Sequence, residues 1–127
     1  MTKASIATTK YRVQLDNGRH LFGADEPVEK DGQDTAPAPD ELLEASLASC
    51  TAITLRMYAD RKQWNLDGVE VEVTLERVEG KTVFTRNITF KGNLDDEQKE
   101  RLLQIAKLCP VSKTLSGSIE INTSINQ

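Results

Sequence analysis

Asp40-Glu-Leu-Leu-Glu-Ala-Ser-Leu-Ala-Ser-Cys50-Thr-Ala-Ile-Thr-Leu55 is the stretch whose reading decides the fold. From Asp40 to about Gln63 there is no glycine or proline. Pro39 stands where a first helical turn tolerates it, and acids at 40 and 41 suit the positive end of a helix. The spacing predicts a long helix over this range. Between Ala45 and Leu55 no residue is charged, on any helical face. A helix on a protein surface rarely carries so long an uncharged stretch, so the segment is expected to be buried all round. Cys50 sits at its centre among Ala45, Ser46, Ala48, Ser49 and Ala52, small residues that let other elements approach closely.

Working outward, Tyr11, Val13 and Leu15 alternate with Arg12, Gln14 and Asp16, and Asn17-Gly18 supplies a tight turn before His20-Leu21-Phe22. This reads as a hairpin. Charged residues from Glu26 to Asp34, then Thr35-Ala-Pro-Ala-Pro39, make a loop leading into the helix. Beyond Leu66-Asp67-Gly68, Val69, Val71, Val73 and Leu75 alternate with Glu70, Glu72, Thr74 and Glu76, a strand with one wet face. Glu79-Gly80 turns the chain into a second strand, where Phe84, Ile88 and Phe90 share a face, and the two strands should pair antiparallel. Asn93 or Asp95 can cap a second helix, with Leu94, Leu102, Ile105, Ala106 and Cys109 on one stripe and Pro110 as its stop. Ile119, Ile121 and Ile125 predict a last strand. The class is α+β: antiparallel sheets around a long buried central helix, with a second helix.

The 127 residues suit a single domain spanning 1–127. A formal charge of −4 argues against nucleic acid as a partner, and no apolar run approaches the roughly 20 residues that span a bilayer. The start lacks the apolar core of a secretory signal, so a cytoplasmic location is expected. His20, Cys50 and Cys109 supply three of the four ligands a structural zinc wants, without paired spacing, and no glycine-rich nucleotide loop occurs. Neither a metal nor an organic cofactor is expected.

The two cysteines are where chemistry could live. Free cysteine is often an inert core residue, and that reading stands for each of them alone. Cys109 lies 59 residues after Cys50 on the buried face of the other predicted helix, so the fold could bring the thiols together. In a reducing compartment a close pair is usually catalytic or redox-sensing.

Pro37-Ala-Pro39-Asp-Glu-Leu-Leu-Glu-Ala-Ser-Leu-Ala-Ser-Cys50-Thr51, with Cys109-Pro-Val-Ser-Lys-Thr-Leu-Ser-Gly117 downstream, resembles the OsmC/Ohr family of osmotically induced and organic hydroperoxide resistance proteins. Asp25-Glu-Pro27 and Thr51-Ala-Ile-Thr-Leu-Arg-Met-Tyr-Ala-Asp-Arg-Lys62 resemble its general OsmC-like branch. The resemblance implies an intertwined homodimer and a thiol peroxidase of organic hydroperoxides, acting in oxidative stress defence without metal or prosthetic group. Cys50 would attack the peroxide and become a sulfenic acid, and Cys109 would resolve it to a disulfide. An external dithiol, such as a lipoylated protein, would reduce the disulfide.

The family places an arginine and a glutamate beside the reactive cysteine. The glutamate's position, ten residues before Cys50, is Asp40, followed by Glu41; Arg19, with Arg12 and Arg56, are the arginine candidates. First-turn acids that simply favour the helix dipole are the plainer reading of Asp40 and Glu41, and a polar hairpin end that of Arg19 and His20. Ser112 stands where members of this type often carry histidine. On a straight helix, ten residues separate Asp40 from Cys50 by roughly 15 Å. A carboxylate here could approach Cys50 only from a partner's helix, which again favours a two-fold homodimer. Two other classes of function remain: a module that holds a hydrophobic ligand near Cys50 without turnover, and a cysteine hydrolase pairing Cys50 with His20.

Overall fold

A computed structural model describes residues 1–126. The chain resolves into two compact units, one from Met1 to Ala45 and one from Ser46 onward, the division falling within the long helix.

In the first unit, strands β1 (Lys3–Ser5), β2 (Val13–Asp16) and β3 (Leu21–Ala24) form an antiparallel sheet in that order. The expected hairpin is β2–β3, with a longer turn than a two-residue link: Asp16 pairs with Leu21, leaving Asn17 to His20 as the loop. The Asn17 side chain closes it, accepting the backbone N–H groups of Arg19 at 2.9 Å and His20 at 2.7 Å, while Gly18 takes a φ of 89°. Strand β1, against β2, has no sequence signal, because Lys3-Ala-Ser5 shows no apolar alternation and is exposed throughout. The 26–34 loop contains a single 3-10 turn at Val28–Lys30.

Buried Asp25 ties this unit together. Its carboxylate accepts from the Thr35 hydroxyl at 2.6 Å and from the amides of Thr35 at 3.1 Å, Glu26 at 2.7 Å and Tyr11 at 3.4 Å. The Thr35 hydroxyl, helped by backbone N–H groups and opposed by burial, holds the carboxyl well below the ordinary aspartate value of 3.8. A depressed folded value stabilises the protein above the unfolded value and loses that contribution as pH falls below it. Acid titration should therefore destabilise the native protein as pH falls below about 4. In Asp25→Asn that loss should be smaller, measured as urea midpoint against pH; identical slopes would contradict this.

Helix α1 runs from Pro39 to Lys62. In the second unit β4 (Leu66–Val78) and β5 (Lys81–Gly92) form the expected antiparallel pair, Val71 opposite Ile88 and Leu75 opposite Phe84. Glu79 and Gly80, at φ 42° and 84°, make the turn. Gly92, at φ 134°, passes so close to the Asn65 carbonyl that a Cβ would sit 2.1 Å from it. Only glycine fits there.

Helix α2 (Asp96–Ala106) begins with a capping box: Asp95 accepts from the Gln98 amide, and the Gln98 side chain accepts from the Asp95 amide. Asp95→Ala should lower stability by about 1 kcal/mol, read as a lower urea midpoint at unchanged slope. A third helix, α3, covers Pro110–Ser116. The core joins Leu55 and Ala59 of α1, Leu66, and Leu102, Ile105 and Ala106 of α2, all buried, with Trp64, Val69, Ile88 and Phe90 packed against them.

Three sequence expectations need correction. The second helix does not reach Cys109: α2 stops at Ala106, and Pro110 opens α3 instead of ending α2, since proline fits a first helical turn as well as it blocks an interior one. The last strand is absent among the described residues; Ile119, Ile121 and Ile125 are exposed and lie in no strand there. The uncharged stretch of α1 is not buried all round in the single chain. Leu47, Thr51, Leu55 and Ala59 form one buried stripe, while Ser46, Ser49 and Ile53 are exposed.

Candidate active site

The second unit brings Cys50 and Cys109 together, both as free thiols. Cys50 is half-buried on α1, next to Thr51 in sequence and near enough to Cys109 to help lower the pKa of its thiol. Cys109 is fully buried and serves as the N-cap of α3, its Sγ accepting the Ser112 amide at 3.4 Å. Pro110 fixes the first turn of α3, so that amide points back at the sulfur.

Thr51, buried on α1 beside Cys50, has its hydroxyl 3.7 Å from the Cys109 sulfur and donates to the Leu47 carbonyl at 2.7 Å. Arg86 on β5 completes the cluster. Its Nη1 donates to Thr51 Oγ1 at 3.0 Å and to the Ala106 carbonyl, at the end of α2, at 3.2 Å, and lies 3.9 Å from the Cys109 sulfur. Burial pushes the Cys109 thiol up, but the Ser112 amide, the Thr51 hydroxyl, Cys50 and the Arg86 charge together bring it below its ordinary value. The elements α1, β5, α2 and α3 thus converge on the polarised Cys109 sulfur.

The arginine at this cluster is none of the three sequence candidates. Arg19 lies in the β2–β3 turn, its amide held by Asn17. Arg12 donates to the Thr35 carbonyl at 3.0 Å. Arg56 pairs with Asp60 at 2.7 Å and donates to the Leu66 carbonyl. Asp40 and Glu41 occupy the first turn of α1, where the Glu41 carboxylate accepts the Ala38 amide at 2.9 Å. Arg86 had a sequence signal: it falls in the same alternation as Phe84, Ile88 and Phe90, a cation on the apolar face of its strand.

Beside the cluster an open cleft of about 450 Å³ is lined by Leu47, Phe84, Ile88, Leu103 and Leu115, with Arg86 at its wall. Among the described residues no group of His, Cys, Asp or Glu could hold a metal ion, and no helix is long and apolar enough to cross a membrane.

Antiparallel sheets, a long helix and two facing thiols beside an arginine define an α+β protein with a paired-cysteine centre. The chain belongs to the OsmC-like protein family, whose profile matches residues 32–124. Its fold is similar to that of the organic hydroperoxide resistance protein OhrB of Bacillus subtilis, at 27% identity over 92% of this chain and 90% of that one, with a TM-score of 0.66. A candidate osmotic-stress-induced and detoxification-response protein from Psychrobacter arcticus is similar at 26% identity, covering 89% and 85%, with a TM-score of 0.75. An OsmC-like protein from Mycoplasma pneumoniae shares the fold at 17% identity, covering 92% and 86%, with a TM-score of 0.79. No curated protein matches the chain.

Proposed function

We propose that this protein reduces organic hydroperoxides with its two cysteines, in defence against oxidative stress. The observation that carries the reading is the Cys50–Cys109 pairing: two free thiols from different helices, one half-buried and one polarised by an arginine. In the cycle, the Cys50 thiolate attacks the distal peroxide oxygen, the O–O bond breaks, and the alcohol leaves with a proton. Cys109 then attacks the Cys50 sulfenic acid, forming the disulfide and releasing water. An external dithiol, such as a lipoylated protein, restores both thiols. No metal or organic cofactor enters these steps. Hydroperoxide resistance in the name of the Bacillus subtilis relative supports the substrate class.

The working unit in this reading is a two-fold homodimer of single 1–127 domains in the cytoplasm. Exposed Ile53 and Met57 on α1 and the unpaired Ile119, Ile121 and Ile125 offer apolar surface for a second copy. Asp40, Glu41 and Arg19 then become candidates to complete the partner's site. A steady-state assay with cumene hydroperoxide and dihydrolipoamide tests the function. Turnover that needs Cys50 supports it; consumption no faster than that by the dithiol alone refutes it. The cleft, whose leucines, Phe84 and Ile88 share its wall with Thr82, Arg86, Lys107, Ser112 and Ser116, favours a second reading, retention of an amphipathic ligand with a hydrophobic part without turnover. In that case such a ligand should bind unchanged to Cys50→Ser.

A further inference from the structure

The two sulfurs of the site differ in ways that assign them opposite parts in reduction. Cys109 is fully buried, and groups from three elements act on its sulfur: the Ser112 amide of α3, Thr51 and Cys50 of α1, and Arg86 of β5. Cys50 is half-buried and is the sulfur a reagent can approach. Arg86 cannot swing away freely, because the Ala106 carbonyl at the end of α2 and the Thr51 hydroxyl hold its Nη1. Thr51 carries one hydroxyl proton. With Cys109 as a thiol that proton rests on the Leu47 carbonyl at 2.7 Å, and with a thiolate it can turn to the sulfur at 3.7 Å.

We propose that Arg86 and Thr51 are positioning residues that stabilise the Cys109 thiolate as the leaving group of the Cys50–Cys109 disulfide, so that the reducing dithiol always enters at Cys50. This deepens the peroxidase reading and rests on it for the disulfide's place in a cycle, while the chemistry of the sulfur pair stands apart from peroxide. One thiolate of the dithiol attacks the Cys50 sulfur, the protein S–S bond breaks, and its electron pair goes to Cys109. The result is a mixed disulfide on Cys50 and a thiolate held by Arg86. The second thiol of the dithiol then attacks its partner sulfur and expels Cys50, which takes up a proton. The dithiol loses two electrons and the protein disulfide gains them. A leaving thiol of lower pKa departs faster, and attack follows access, so both factors select Cys50 as the point of entry.

Two measurements test this without peroxide. In Cys50→Ser, where Cys109 is the remaining thiol, thiolate absorbance at 240 nm is titrated against pH. Arg86→Met should raise the midpoint by about one unit, Thr51→Val should raise it less, and Arg86→Lys should restore part of the shift. A midpoint unmoved by both Arg86→Met and Thr51→Val, in protein with native circular dichroism, overturns the proposal. Separately, the disulfide is formed with diamide in the wild-type chain, attacked by glutathione and acid-quenched. The adduct is expected on Cys50; an adduct mainly on Cys109 overturns the proposal. Failure of hydroperoxide turnover alongside these expected results would sink the peroxidase reading and leave this one standing.

Discussion

Cys50→Ser is expected to lower hydroperoxide turnover by on the order of a hundredfold or more, to the level of the dithiol alone, because it removes the one sulfur of the pair that a peroxide can reach. Cys109→Ser should behave differently. Cys50 would still react once, giving a sulfenic acid that a dimedone probe traps, and excess hydroperoxide would drive it to sulfinic acid with lasting loss of activity. The asymmetry follows from burial: the resolving sulfur is sealed behind Arg86 and Thr51, so it cannot stand in for Cys50. A Cys109→Ser variant in which dimedone traps no sulfenic acid at Cys50 would contradict this account of the site.

Leu102→Ala should cost roughly 2–5 kcal/mol, a large part of the about 5–15 kcal/mol that is a domain's whole stability. Leu102 is fully buried among Leu55, Ala59, Leu66, Ile105 and Ala106, where three elements meet and little can collapse into the gap. Leu103, its neighbour in sequence, is 42% exposed. Its alanine variant should stay within about 0.5 kcal/mol of the wild type. Chemical denaturation of the two variants checks the contrast, and similar losses would mean that the assigned core face of α2 is wrong. Loosening α2 should also reach the site, since the Ala106 carbonyl at its end anchors Arg86.

Legibility varied with how local each signal is. The long helix was readable nearly to the residue, from Pro39 to Lys62, because proline, first-turn acids and the absence of glycine all act within one turn. The β4–β5 pair was equally clear, its alternation and its Glu79-Gly80 turn both being local. Pro110 is ambiguous in sequence, because a proline that ends one helix and one that begins the next have the same sequence neighbours. Strand β1 left no trace, since an exposed edge strand held by backbone hydrogen bonds needs no apolar pattern. The isoleucines after 118 follow a strand's period but pair with no strand among the described residues, and a strand forms only by pairing.

At the site, the motifs point to the two cysteines, whereas the arginine candidates the resemblance suggests, Arg19 with Arg12 and Arg56, lie outside β5. Arg86 was visible as a charge in the apolar register of β5, a place where burial demands a partner.

Reduced protein treated with one equivalent of an organic hydroperoxide, quenched within seconds and mapped by peptide mass, tests the central claim most directly. The account predicts a Cys50–Cys109 disulfide in the wild type and a sulfenic acid at Cys50 in Cys109→Ser. Thiols that remain free, reacting no faster than free cysteine, would contradict it.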